Sequence, residues 1–516
     1  MEKEKNKENL VGISYLGVEA PHTTVSTDEL AKAVGQDPEK IRKGLGVNSM
    51  KWPTYSQNNS TMAAQALYNF VRRLKADNEL NQKFMTNPPQ RIFYATESNA
   101  DQSRPDAMSA LRMVYNKLLD DDTANKRYID IFRQCDVMQV TFACAGAGLS
   151  LGSALDHVRA NNGSSAIVIS ADTSVYDNDR APNAEATQGS AATIMWVTQS
   201  PKLLSLNDDA KTGSSNLPVS DFTKFGDHRP LVYGKFSEIM YIYLAAHAFE
   251  AVEDSYTTKN GHTVLNDTDF MVTHVPFPKQ AIYYNSALFA HSLRLDGNES
   301  LKNMITSREE VGRCPTNGAR FTATVSEIIE GLRNRPESEL VPAIESNQLL
   351  KDYMNWLKGL RGQPEAKEFA KKLHIAESLM IPSLTGNSYS SAAIVGLAST
   401  LTNANVDKVK KGLVVFYGSG AISRVVPLNV VAKESEKGRY MNLNIGTGEE
   451  VVSLTAEQYK EIHEVLLRGE ARRVMPKGDN LFEEDKRFLR GKVPSGFHVR
   501  RYHEDGTCEA FYLEQE

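Results

Sequence analysis

"VMQVTFACAGAGLSLGSALDHVR", residues 137–159, runs an apolar stretch into a single cysteine set among alanines and glycines, and then into a segment of helical character. It reads as a buried strand followed by a small-residue helix that starts at Cys144. The neighbours Ala143, Ala145 and Gly146 leave the sulfur open to a bulky group. A thiol at a helix N-terminus feels the partial positive charge of unpaired N–H groups, which predicts a lowered pKa and an accessible thiolate.

Outward from this stretch, short apolar runs alternate with longer helical segments, so an α/β fold is expected. "RIFYATE" (91–97) reads as a buried strand ending at Glu97, and "SSAIVISAD" (164–172) as another ending at Asp172. The second half of the chain repeats the order. "DFMVTH" (269–274) ends at His274, "SLTGNSYSSAAIVGLAST" (383–400) passes through Gly386 and Asn387 into a helix, and "KGLVVFYGSG" (411–420) is the next strand. Strand ends and helix starts on one edge of such a sheet are where α/β folds build sites. If the halves pack about a pseudo-twofold, Glu97, Cys144, His274 and Asn387 converge.

The halves differ in length. The second carries a charged, helix-forming surplus at about 290–375, expected to break near Pro336 and Pro342. The organisation read from the sequence is a first half over 1–225, a second over 226–435 with that insertion, and a closing segment of the second half over 436–516.

Composition narrows the function classes. The 516 residues carry 59 basic and 64 acidic side chains, a net charge of -5, which argues against nucleic acid as a partner. The four cysteines, Cys135, Cys144, Cys314 and Cys508, are too scattered for a disulfide framework or a metal site, so a reducing cytoplasm is expected. "MEKEKNKENL" lacks the apolar core of a signal peptide, and no run reaches the roughly 18 apolar residues of a membrane span.

"ATES" (95–98), the cysteine before a small-residue helix, "THVPF" (273–277) and "GNSYSSAA" (386–393) together resemble the thiolase superfamily, and within it the hydroxymethylglutaryl-CoA synthases. "SADTSVY" (170–176), "EATQGSAATIM" (185–195), "LVYGKFS" (231–237) and "YGSG" (417–420) extend the match. The resemblance implies a duplicated α-β-α-β-α sandwich with mixed sheets in two pseudo-symmetric halves. It implies condensation of acetyl-CoA with acetoacetyl-CoA through an acetyl group on Cys144. Glu97 would act as acid and base, His274 would hold the acetoacetyl thioester, Asn387 the acyl chain and Lys279 the CoA. Tyr389, Ser419, Gly420 and Thr187 would line the substrate site. Asp172 and Asp221 would organise it through hydrogen bonds, and backbone N–H groups at Cys144 and Ser419 would meet oxyanions. No metal or resident cofactor is expected, CoA thioesters being substrates. A cytoplasmic homodimer, with possible association with a thiolase, completes the implied picture.

Two departures stand out. Ala145 follows the cysteine where the family often has a tyrosine, which predicts a reshaped acyl pocket, and the insertion is atypical of compact members. An initiating ketoacyl synthase also uses Cys, His and Asn but has no glutamate in the place of Glu97. A carrier-protein-dependent synthase of polyketide β-branching shares the whole set. An inactive scaffold in an acyl-transfer complex is the non-enzymatic alternative. Around the expected mouth the cations Lys224, His228, Arg229, Lys235 and Lys279 sit among Asp221, Asp227 and Glu238, a thin face for docking an acidic carrier.

Overall fold

The structure is a computed structural model describing residues 10–514 apart from 102, 182, 226–228, 296–298, 310, 318, 447–450, 469–479 and 504–507. In the first half, β1 (Val11–Glu19), α1 (Asn59–Ala76), β2 (Pro89–Ala95), α2 (Ala107–Asp121), β3 (Asp136–Val140), α3 (Gly146–Ala160), β4 (Ser165–Asp172) and β5 (Ala191–Gln199) follow in order. Their strands lie as β1–β5–β4–β2–β3, antiparallel across the first two pairs and parallel across the last two. Every residue of β4 is buried, as its unbroken apolar run requires of a strand covered on both faces.

The second half repeats the scheme. Its first strand is split into β6 (Leu204–Leu206) and β7 (Gly213–Asn216), which run antiparallel along one strand described below. A two-stranded hairpin of β8 (Phe222–Thr223) and β9 (Leu231–Val232) precedes α4 (Gly234–Asn260), β10 (Phe270–Thr273) and α5 (Pro278–Leu295). After the insertion come α6 (Ala392–Asn403), β11 (Lys411–Gly418) and β12 (Ile422–Val430). The order β6/β7–β12–β11–β10, antiparallel twice and then parallel, matches the first four strands of the other half. Pairing of β6 with β1, Ile13 opposite Leu204, joins the two sheets edge to edge.

Five layers result. α1 covers one outer face, α4 the other, and α3 and α6 are held between the two sheet halves. Helices enclosed on both sides must be thin and apolar. α6 is accordingly buried from Ala392 through Leu401. α3 touches the far half through its glycines: a Cβ on Gly148 would stand 2.4 Å from the Phe416 ring.

Several expectations need correction. The helix begins at Gly146 rather than Cys144, because Ala143 takes a left-handed φ of 37° and holds Cys144 in a turn ahead of it. The insertion is helical, but only Pro336 marks a break. Pro342 lies inside the helix Glu337–Ser346, where one lost hydrogen bond is outweighed by burial of the flanking Val341 and Ile344. The described part of 436–516 packs mainly on the first half, although Lys437 donates to Leu401 O of the second. Met441–Asn444 runs parallel to β1, and the buried Asp485 accepts hydrogen bonds from Thr54 Oγ1 (2.8 Å) and the Tyr55 N–H (2.9 Å). Among the described residues, no helix is long and apolar enough to cross a membrane.

Gly148→Ala should push a methyl group into Phe416 and lower stability by about 1–3 kcal/mol, read as a fall in urea midpoint. Pairing it with Phe416→Leu should recover part of the loss.

Candidate active site

The ends of β2, β4, β10 and β11 meet on one edge of the joined sheet. Asp172 closes β4, Glu97 stands two residues beyond β2, His274 directly follows β10, and Ser419 follows β11. The Asp172 carboxylate, fully buried, organises this edge. Its Oδ1 accepts from Thr96 Oγ1 (2.8 Å), the N–H groups of Glu97 (2.8 Å) and Ser98 (3.1 Å), and Ser98 Oγ (2.7 Å). Its Oδ2 accepts from the Ser390 N–H at 3.0 Å and from the Ser390 hydroxyl. One carboxylate thus locks the Glu97 loop of the first half to the Asn387 loop of the second.

Asn387 is placed by backbone contact across the same seam. Its N–H donates to Thr187 O at 2.9 Å, and its Oδ1 accepts from the Tyr389 N–H at 2.9 Å. The approach demands Gly386, whose φ is 74° and whose absent Cβ would lie 2.0 Å from Gln188 O. The turn signature of "GNS" has this physical origin.

These loops enclose a cavity of about 260 Å³ lined by Cys144, His274, Asn387, Thr187, Ser419 and Tyr176, with Tyr241, Phe222 and Val232 among its other walls. The Cys144 thiol donates to Glu97 Oε2 at 3.2 Å, so the carboxyl stands directly behind the sulfur. Glu97 is 4% exposed, and its other oxygen lies 3.6 Å from Lys224 Nζ. Lys224 also donates to Glu97 O (2.8 Å) and Ser174 Oγ (3.0 Å).

Burial dominates the electrostatics. It pushes the Cys144 thiol well above its ordinary value, and the adjacent Glu97 carboxylate adds to the shift. Burial likewise raises Glu97, with Lys224 opposing. The expected lowered thiol pKa is therefore overturned. Cys144 sits outside the helix, and desolvation plus a neighbouring negative charge outweigh the helix field. Burial holds His274 down to about 3, so its imidazole is neutral and offers one donor and one acceptor. Its backbone is pinned between Val415 O (2.7 Å) and the Tyr241 hydroxyl (2.7 Å), while Nδ1 has no partner among the described residues.

The remaining candidates divide. Tyr389 is fully buried behind the cavity, donating its hydroxyl to Ser174 O at 2.9 Å. Asp221 lies beneath the β11–β12 turn, accepting from Tyr417 (2.9 Å) and from the Gly420 N–H (2.6 Å). That bond commits the Gly420 donor away from any oxyanion. Lys279 is half-buried in the first turn of α5, next to the wall residue Gln280 but not itself in the wall. Ala145 is buried against Gly418, where a Cβ would lie 2.6 Å away, and it is not among the residues lining the cavity. The reading along the chain treated Lys224 only as a rim cation and passed over Tyr176. Nothing local marks either, since both reach the site from loops. Among the described residues, no group of three or more His, Cys, Asp or Glu is arranged to hold a metal ion.

No family model matches the chain. A hydroxymethylglutaryl-CoA synthase of Haloferax volcanii is 29% identical over 404 residues, 77% of this chain and 78% of that protein. Among solved structures, MvaS in complex with 3-hydroxy-3-methylglutaryl coenzyme A superposes with a TM-score of 0.64 at 19% identity, covering 98% of this chain and 99% of the other. The hydroxymethylglutaryl synthase of the curacin biosynthetic pathway, in complex with an acetyl donor carrier protein, gives 0.66 at 15%, covering 98% and 100%. At those identities the structural likeness is one of fold, and the fold is the thiolase-like sandwich.

Alkylation of Cys144 by iodoacetamide should be slow at pH 7 and climb on the alkaline side, because a raised pKa keeps the thiol protonated at neutrality. Glu97→Gln removes the repelling carboxylate and should move that profile to lower pH, read by mass spectrometry of the Cys144 peptide.

Proposed function

We propose that this chain, an enzyme homologous to the hydroxymethylglutaryl-CoA synthases, condenses acetyl-CoA with acetoacetyl-CoA and water to give 3-hydroxy-3-methylglutaryl-CoA and free CoA. The observation that carries the reading is the 3.2 Å contact of Glu97 with Cys144, which lines one cavity with His274 and Asn387. A neutral thiol beside a buried carboxylate needs no prior thiolate. The sulfur attacks the acetyl carbonyl as its proton passes to Glu97, and Glu97 hands that proton to the departing CoA thiolate. Glu97 then removes a proton from the acetyl methyl group. The new carbon–carbon bond forms at the acceptor ketone, whose alkoxide takes a proton back, and water frees the product and the thiol. Neutral His274 suits hydrogen bonding to an uncharged thioester or ketone. Lys224 keeps Glu97 ionisable despite its burial.

The finer reading is that the acyl donor is free acetyl-CoA, as in the mevalonate route, rather than a carrier-bound acetyl group. Its support is the scarcity of cations to dock an acidic protein. Lys224 reaches inward to Glu97, and Arg229 pairs with Asp177 at 2.8 Å. Asp227 and His228 lie outside the described residues.

Incubation with acetyl-CoA should leave an acetyl mass increment on the Cys144 peptide, lost in Cys144→Ala. Glu97→Gln, which lacks the acceptor for the thiol proton, should be acetylated more slowly, and its acetylated form should condense slower by roughly 10²–10⁴. A near wild-type condensation rate in that variant would favour the ketoacyl synthase instead.

Side-by-side acylation with acetyl-CoA and with an acetylated carrier protein should favour acetyl-CoA, and Lys279→Ala should weaken CoA binding more at low salt than at high. A strong carrier preference would assign the chain to β-branching.

A further inference from the structure

One wall of the cavity has no task in the chemistry above. Gln280, 1% exposed on the first turn of α5, donates its Nε2 to Glu238 O at 3.3 Å, yet its Oε1 has no hydrogen-bond partner. Next to it, one turn into α4, the half-buried Glu238 carboxyl makes no hydrogen bond or close ion pair with any described residue. Both side chains line the cavity that holds Cys144 and His274. Leu45, Pro276 and Phe277 of the same wall carry no side-chain donor, and the Ser237 and Tyr241 hydroxyls bond the Ser419 hydroxyl and His274 O. Buried acceptors are ordinarily paired, because an unpaired one forfeits its hydration without return. Two of them side by side, open to a ligand cavity, form a wall complementary to a donor.

We infer that Glu238 and Gln280 are an acceptor pair for an N–H or O–H group of the incoming thioester. This rests on the acyl-transfer reading of the cavity. A cationic group fits less well: burial pushes the Glu238 carboxyl up, with Lys358 and Lys235 opposing, and those two lysines already supply positive charge beside it. Two sources supply a neutral donor: the amide N–H groups of the thiol arm, common to CoA and carrier-bound substrates, or a hydroxyl on the acceptor's acyl chain. The pair determines specificity because a wall built to hydrogen-bond a donor discriminates strongly against a substrate that lacks one.

The test compares wild type with Gln280→Leu and, at the more accessible position, Glu238→Leu, each checked for an unchanged melting temperature. Three acceptors are used: acetoacetyl-CoA, S-butyl acetoacetate thioester, which has no amide, and 4-hydroxy-3-oxobutanoyl-CoA. KM should rise about tenfold or more in the variants with little change in kcat. A rise with both CoA thioesters but not the S-butyl thioester assigns the donor to the arm. A rise confined to the hydroxylated acceptor assigns it to the chain. Unchanged KM values for all three in folded variants would overturn the inference. Calorimetric binding of acetoacetyl-CoA and of the hydroxylated acceptor to Cys144→Ala protein, with and without the second substitution, is independent of turnover. Weaker binding there, together with a wild-type protein that shows no condensation, would leave the pair standing and remove the proposed reaction.

Discussion

The site depends on the six hydrogen bonds received by Asp172. A fully buried carboxylate is expensive unless both oxygens are satisfied, and here every donor comes from a loop that carries chemistry or adjoins one. Two donors are the backbone N–H groups of Glu97 and Ser98, which fix where the Glu97 side chain starts. Two more come from Ser390, three residues past Asn387. The spacing of Glu97 and Asn387 is therefore set by one shared anion rather than by either half alone.

Around that anion the cavity arranges its titratable groups by withholding water. The thiol and the imidazole are both held neutral by burial, and Lys224 is the near cation that opposes the same effect on Glu97. The consequence is a division of labour by environment. Cys144 and Glu97 are coupled, so a proton leaving sulfur has its acceptor 3.2 Å away. His274, without a charged neighbour in contact, remains a fixed dipole.

Much of this was legible in the sequence where one local signal sufficed. β4 and β11 announce themselves as unbroken apolar runs because sheets covered on both faces need them, and their ends led directly to Asp172 and the Ser419 turn. Gly386 and Asn387 were legible because a turn of that chemistry is local. What the sequence hid is non-local. β7, "GSSN", has no apolar run and is a strand only through β12, with Gly213 admitting the Ala248 carbonyl of α4 to where a Cβ would sit, 1.9 Å away. The direction of the Cys144 shift was missed because helix position is visible along the chain, whereas burial against Glu97 is not. Lys224 and the Glu238–Gln280 wall share that character.

The joining of the sheets also has a bearing on how the molecule is assembled in time. β1, near the start of the chain, is completed on one side by β5 and on the other by β6 and by Met441–Asn444. During synthesis the edge of β1 beyond its pairing with β6 stays bare until Met441–Asn444 emerges from the ribosome. A buried, apolar strand with unpaired amides is a template for wrong partners, and closing such distant contacts is slow. Nascent chains of this protein therefore pass through a long interval in which the central strand of the finished sheet is its most vulnerable part, and chaperone occupancy should fall on β1 until Met441–Asn444 arrives.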